Sequence, residues 1–201
     1  MKVLLIRAIA SVAFLLVASA VWAEITGSAH DFSSYGWSGQ QICVACHIPH
    51  DADQTVPESP LWNHEVGNET YTLYSSPTLD QQPEQPRGPS LLCLGCHDGV
   101  TAVDSFGGNM GSYFLTGDAR IGTDLSNDHP ISIYWDHQTG DGGLVCSNCH
   151  NFHEPVDPYL PFFDRYVECS TCHDVHNTVG IPKLLRASMS GSQLCLHCHP
   201  Q

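Results

Sequence analysis

Five short runs in this chain place two cysteines three positions apart and follow the second at once with a histidine. They are CVACH at 43–47, CLGCH at 93–97, CSNCH at 146–150, CSTCH at 169–173 and CLHCH at 195–199, and they use all ten cysteines of the 201-residue sequence. The spacing has a chemical meaning. Two thiols at this separation can each add to a vinyl group of one porphyrin, and the next histidine then lies over one face of the ring, where its imidazole binds the iron. CxxC pairs also form disulfides in oxidising compartments, and two such pairs can build a four-ligand zinc site. Neither alternative explains a histidine after every second cysteine, and an odd number of pairs fits poorly with zinc sites made from two. The motifs predict five covalently bound c-type haems. Cys43/Cys46, Cys93/Cys96, Cys146/Cys149, Cys169/Cys172 and Cys195/Cys198 are the anchors, and His47, His97, His150, His173 and His199 the proximal iron ligands.

Eight of the 13 histidines remain. If every iron is six-coordinate, five are needed on the opposite ring faces. Once the first 23 residues are set aside, only Met110 and Met189 are left as methionines, so histidine on both faces is the economical solution. Methionine would raise the reduction potential, so an all-histidine set implies lower ones. Three sites share the longer pattern CxxCHxxH, which adds His50, His153 and His176. A histidine three residues after the proximal ligand lies on nearly the same side of a helical turn. It is placed to reach a neighbouring haem rather than its own. His64 in PLWNH and His129 in NDHPISI stand beside apolar residues that could pack on a ring, and His30 in GSAHDF could ligate within its chain or in another subunit. His137, in a Gly-rich polar stretch, and His197, inside its own CxxCH, are not expected to ligate.

The elements that must position these groups are few. Hydrophobic periodicity is weak almost everywhere. Residues 51–90 hold six prolines, and 104–128 are rich in Gly, Asp and Asn, which favour turns. Short strands are expected at 100–103 and 131–135, and short helices around each CxxCH and near 184–189. The fold class expected is mostly irregular coil with short α-helices and little β, organised around a haem chain rather than a side-chain core. Phe32, Trp62, Tyr71, Phe106 and Trp135 are candidates to pack against the rings. The motifs also form a repeat: three CxxCHxxH and two LCLxCH, in the order first, second, first, first, second.

Residues 1–23 read as a signal peptide: Lys2 and Arg7, an apolar run from Ala8 to Val21, and small residues before a cut after Ala23. The rival, an uncleaved anchor, needs about 20 apolar residues. Residues 24–201 are then a single exported domain. All 21 acidic residues lie in it with five of the seven basic ones, for a formal charge of 5 − 21 = −16. Such a surface repels nucleic acid and anionic lipid.

The chain resembles the multihaem c-type cytochromes of the doubled-CxxCH, cytochrome c3-like type, among them small secreted, filament-forming cytochromes of metal-reducing bacteria. The resemblance rests on residues 30–52, 59–66, 91–108, 121–133 and 167–200, about half of the exported part. It implies His50, His64, His129 and His176 as iron ligands, and it says nothing of His153, because LVCSNCHNFHEP interrupts the four-haem pattern. Electron transfer through five bis-histidine haems is the expected function, as an extracellular cytochrome that could polymerise. The alternatives are a soluble periplasmic shuttle to a terminal reductase and, less favoured, a nitrite- or sulfite-type reductase, which would need one open iron. Partners are expected to be redox proteins, extracellular acceptors or further copies of the chain. The purified protein should weigh five haems more than its processed polypeptide; a smaller increment in the intact mass would reduce the number of loaded sites accordingly.

Overall fold

The computed structural model describes residues 24–134, apart from 78 and 80, and residues 160–199. The third CxxCHxxH, with Cys146, Cys149, His150 and His153, lies outside the described residues. So do His137, Trp135 and the segment 1–23. Most of the described chain is coil. Its helices are α1 (Gly88–His97), α2 (Cys169–Cys172) and α3 (Gln193–Leu196), with single helical turns at Phe32–Ser34, Gly36–Ser38, Gly117–Ala119, Pro182–Leu184 and Ser190–Ser192. Two short strands, β1 (Ile133–Tyr134) and β2 (Tyr166–Val167), pair antiparallel, Ile133 opposite Val167 and Tyr134 opposite Tyr166. No described helix is long and apolar enough to cross a membrane.

Three of the four described CxxCH runs are helical in whole or in part, as the spacing suggests. α1 starts where Pro89 can occupy the first turn without losing a helical hydrogen bond, and carries the second motif to its last residue. The fifth motif is helical only in its first half: α3 includes Cys195 and ends at Leu196, so Cys198 follows it in a turn. The first motif makes only a turn, Cys46 N and His47 N both donating to Cys43 O at 3.1 and 2.8 Å. The strand expected at 100–103 does not form. Asp98 accepts from Val100 N at 2.8 Å and Thr101 N at 3.0 Å, and this side-chain turn replaces a ladder. The expectation at 131–135 is met by the two residues of β1. The helix expected at 184–189 does not form either; the helical turns fall on either side, at 182–184 and 190–192.

The side-chain core is small. Tyr71, Leu94 and Leu125 form it, with Leu73 and Ile131 packed against it. The backbone of Tyr71 is held by a side chain in place of a strand: Tyr71 N donates to Gln85 Oε1 and Gln85 Nε2 donates to Tyr71 O, each at 2.9 Å. Beside this core, α1 and α2 join through polar groups. Ser90 is fully buried and accepts from Cys169 N at 2.9 Å. Glu168, 1 % exposed, forms a capping box with Thr171 at the start of α2 and accepts from Ser132 Oγ at 3.1 Å.

Burial is the main cause that pushes the Glu168 carboxyl up to about 7, against the opposing pull of the Ser90 and Ser132 hydroxyls and Arg87. The folded protein therefore prefers this acid protonated. The stability so gained is complete below the unfolded carboxyl's pKa and is lost as the pH rises through about 7. The haem-loaded protein should melt lower at pH 8 than at pH 5, with Glu168 contributing up to roughly 3 kcal/mol. E168Q should flatten that part of a thermal-melt profile, and a profile unchanged by the substitution would remove Glu168 as its cause.

Candidate functional site

Each described CxxCH histidine except the last is tied to a stretch of chain that returns over its motif. His47 Nδ1 meets Pro60 O at 2.6 Å, His97 Nδ1 meets Ala119 O at 2.7 Å, and His173 Nδ1 meets Lys183 O at 2.9 Å. A carbonyl oxygen can only accept, so Nδ1 carries the proton in all three. Nε2 is then left with a free lone pair and a ring fixed in orientation, the state in which imidazole binds a metal.

The first and fourth sites are held by the same clamp. At the first, Ile48 N donates to Leu61 O and Asn63 N to Cys46 O, both at 2.9 Å, and Asn63 Nδ2 donates to Val44 O. At the fourth, Asp174 N donates to Leu184 O at 2.6 Å, Arg186 N to Cys172 O at 2.9 Å, and Arg186 Nε to Ser170 O at 2.8 Å. Position by position the two sets correspond. Both also put a leucine in the left-handed region, Leu61 at φ 52° and Leu184 at φ 57°, a conformation that costs a non-glycine residue about 1–3 kcal/mol. The second site uses another device, in which Ile121 N and Gly122 N both donate to His97 O. At the fifth, Cys198 N and His199 N both donate to Cys195 O, at 3.2 and 2.9 Å. This is the bonding of the first motif's turn, and it brings Cys195, Cys198 and His199 together although α3 has already ended.

Three of these four histidines face a histidine that belongs to no CxxCH. The ring centroids of His97 and His30 are 6.0 Å apart, those of His47 and His176 6.1 Å, and those of His199 and His129 6.4 Å. With metal–imidazole bonds of about 2.0 Å, two rings on opposite sides of one iron have centroids roughly 6 Å apart. The residues present thus fit a haem iron held between two histidines, and they come in twos rather than the fours of a zinc site. His30 is half-buried, with a buried and unpartnered Nδ1. Burial first, and then the nearby His97, His173 and His176, push its pKa down to about 4, so it is neutral at pH 7, as a ligand must be. His129 Nδ1 donates to Pro130 O at 2.9 Å, which leaves its Nε2 free.

The remaining candidates are placed differently. His50 is exposed. His64 is 3 % exposed, its Nδ1 2.8 Å from Glu65 O and its Nε2 3.0 and 3.2 Å from Ala102 O and Val103 O, with Cys96 Sγ at 3.4 Å. It therefore lies on the second site's anchoring cysteine and is not paired there with a CxxCH histidine. His173 lies close enough to His30 to lower its pKa.

None of the eight described cysteines, Cys43, Cys46, Cys93, Cys96, Cys169, Cys172, Cys195 and Cys198, is in a disulfide. Cys43 and Cys195, each the first of its motif, are exposed, while their second cysteines, Cys46 and Cys198, are half-buried. Sulfurs of different sites lie close together. Cys93 of the second site and Cys169 of the fourth lie close enough to act on each other, which raises the pKa of the first, together with burial, and lowers that of the second. Burial pushes Cys46 up to about 11 and is also the main cause that raises Cys96. Residues that sequence reasoning missed include Pro60, Ala119 and Lys183, which act through backbone carbonyls and so leave no residue-type signal.

Residues 161–201 match the family model described as the doubled CXXCH motif, a stretch that contains the fourth and fifth sites. No curated protein matches the chain. The motif marks covalent c-type haem, and the chain reads as a multihaem c-type cytochrome concerned with electron transfer.

Gly95, inside the second CxxCH, lets the His64 segment approach α1. A Cβ there would stand 2.9 Å from Glu65 O and 3.6 Å from His64 Nδ1. G95A should destabilise the loaded protein by about 1–3 kcal/mol, read as a lowered melting midpoint. An unchanged midpoint would mean that the Glu65 backbone can retreat freely.

Proposed function

We propose that this protein is an exported electron carrier with five c-type haems, each iron held between two histidines. His47 pairs with His176, His97 with His30, and His199 with His129; for His173 and His150 the partners come from His50, His64 and His153. The observation that carries this reading is the approach of three CxxCH histidines, each to within 6.0–6.4 Å centroid to centroid, by three histidines from elsewhere in the chain.

A haem iron with both axial positions filled accepts and releases electrons but offers no place for a substrate. The chain's own part is to fix the ligand tautomers through the Nδ1–H bonds and to keep the sites close, as the hydrogen bond from Cys169 N to Ser90 Oγ does for the second and fourth. That supports a carrier over a reductase. The export segment and the −16 charge of residues 24–201 favour a role outside the cytoplasm, at the cell surface, with partners that dock through basic or apolar faces. His30 lies against His97 of its own chain. This favours a self-contained subunit over one whose N-terminal histidine completes a neighbour's site, and assembly into filaments would then use other contacts.

Replacing His176 tests the pairing. H176A should convert one low-spin haem to a high-spin form in electron paramagnetic resonance, with the remainder unchanged, whereas H197A should convert none. A fully low-spin spectrum for H176A would end the assignment of His176 to an iron.

A further inference from the structure

The clamps at the first and fourth sites agree in every hydrogen bond but differ in one donor. Asn63 and Arg186 occupy the same place. Each gives its backbone N–H to the carbonyl of the second cysteine and its side-chain N–H to the carbonyl of the residue after the first, Val44 or Ser170. An amide therefore stands at the first site where a guanidinium stands at the fourth. Resting on the reading of both motifs as haem sites, we infer that Arg186 is a positioning residue that also raises the reduction potential of the fourth site, and that Asn63 is its uncharged counterpart at the first.

The physical reason is charge. An oxidised haem iron carries one more positive charge than a reduced one, so a fixed cation beside it favours reduction. Arg186 is held there: two of its donors are bound to the motif's own backbone, and the side chain is only partly exposed. Arg186 is one of only five basic residues after residue 23, so few other cations compete with it. Lys183, the other cation of this clamp, is exposed and more fully screened. Asp174, 5 % exposed and next to His173, offsets part of the guanidinium's charge, and the first site has Ile48 at that position. Each site is therefore to be compared with its own variants rather than with the other. The charge reading also explains why arginine and asparagine are not equivalent here although they make the same hydrogen bonds.

The test is a spectroelectrochemical titration of the haem-loaded protein in low salt. R186N should move one component of the titration to lower potential and leave the others in place. R186K, which keeps the charge but loses the planar Nε donor, should stay near the parent. N63R should move a different component to higher potential. An R186N titration that overlays the parent, or an R186K shift as large as that of R186N, would overturn the inference. If R186N does not accumulate, N63R decides alone: an upward shift of one component supports the inference and an unchanged titration overturns it. A parent protein without covalent haem would instead overturn the reading of the motifs themselves.

Discussion

The structure depends on one hydrogen bond made three times, from the Nδ1–H of a CxxCH histidine to a backbone carbonyl 10 to 22 residues further on. It sets the tautomer, turns the ring, and obliges the chain to come back over the motif it has just left. Part of the coil between motifs is the path of that return. This explains how a chain with so few helices and strands keeps a definite course: its order comes from the ends of short loops that must meet a fixed donor, not from long ladders. The left-handed Leu61 and Leu184 mark the tightest point of two such returns, where local strain is accepted to present a carbonyl at the required place.

Much of the site is legible in the sequence because covalent attachment imposes a fixed spacing. CxxCH names its anchors and its proximal histidine without reference to the fold. The turn that gathers Cys195, Cys198 and His199 makes the same point, since the grouping persists where the helix does not. The histidines that approach these motifs are less legible, since His30, His129 and His176 come from distant parts of the chain and little in their neighbourhood says which CxxCH histidine they meet. The xxH extension does carry information: His176 lies beside His47 rather than His173, in line with the argument that it must look away from its own motif. His64 is placed differently. Its apolar neighbours suggested a ring beneath it, and its Nε2 sits among two carbonyls and the Cys96 sulfur. Coil was readable from Pro, Gly and Asp content, whereas the strand expected from Val100 and Val103 gave way to a turn capped by Asp98, a competition that hydrophobic pattern does not report.

Eleven hydrophobic residues are buried among the described residues, and only Tyr71, Leu94 and Leu125 of them form a packed cluster. The polar joint between α1 and α2 is correspondingly important. Ser90, Ser132 and Glu168 tie two motifs to each other through buried hydrogen bonds, an arrangement that is specific in direction but intolerant of a missing partner. Haems bound at such motifs would add apolar plates that side chains do not supply, and stability would then rise with their loading.

The pairing of Ile133–Tyr134 with Tyr166–Val167 has an evolutionary consequence. The two tyrosine rings meet at 5.2 Å, Arg87 lies 3.9 Å over the ring of Tyr166, and the same guanidinium pairs with Asp164 at 3.3 Å. The described residues on the two sides of the third CxxCHxxH are thus fastened to each other as a neck. Because closing a longer loop at a fixed neck costs only slightly more than closing a short one, a lineage could gain or shed a whole redox unit here without rethreading the other sites. An odd number of motifs is what one such gain would leave, with the neck as its seam.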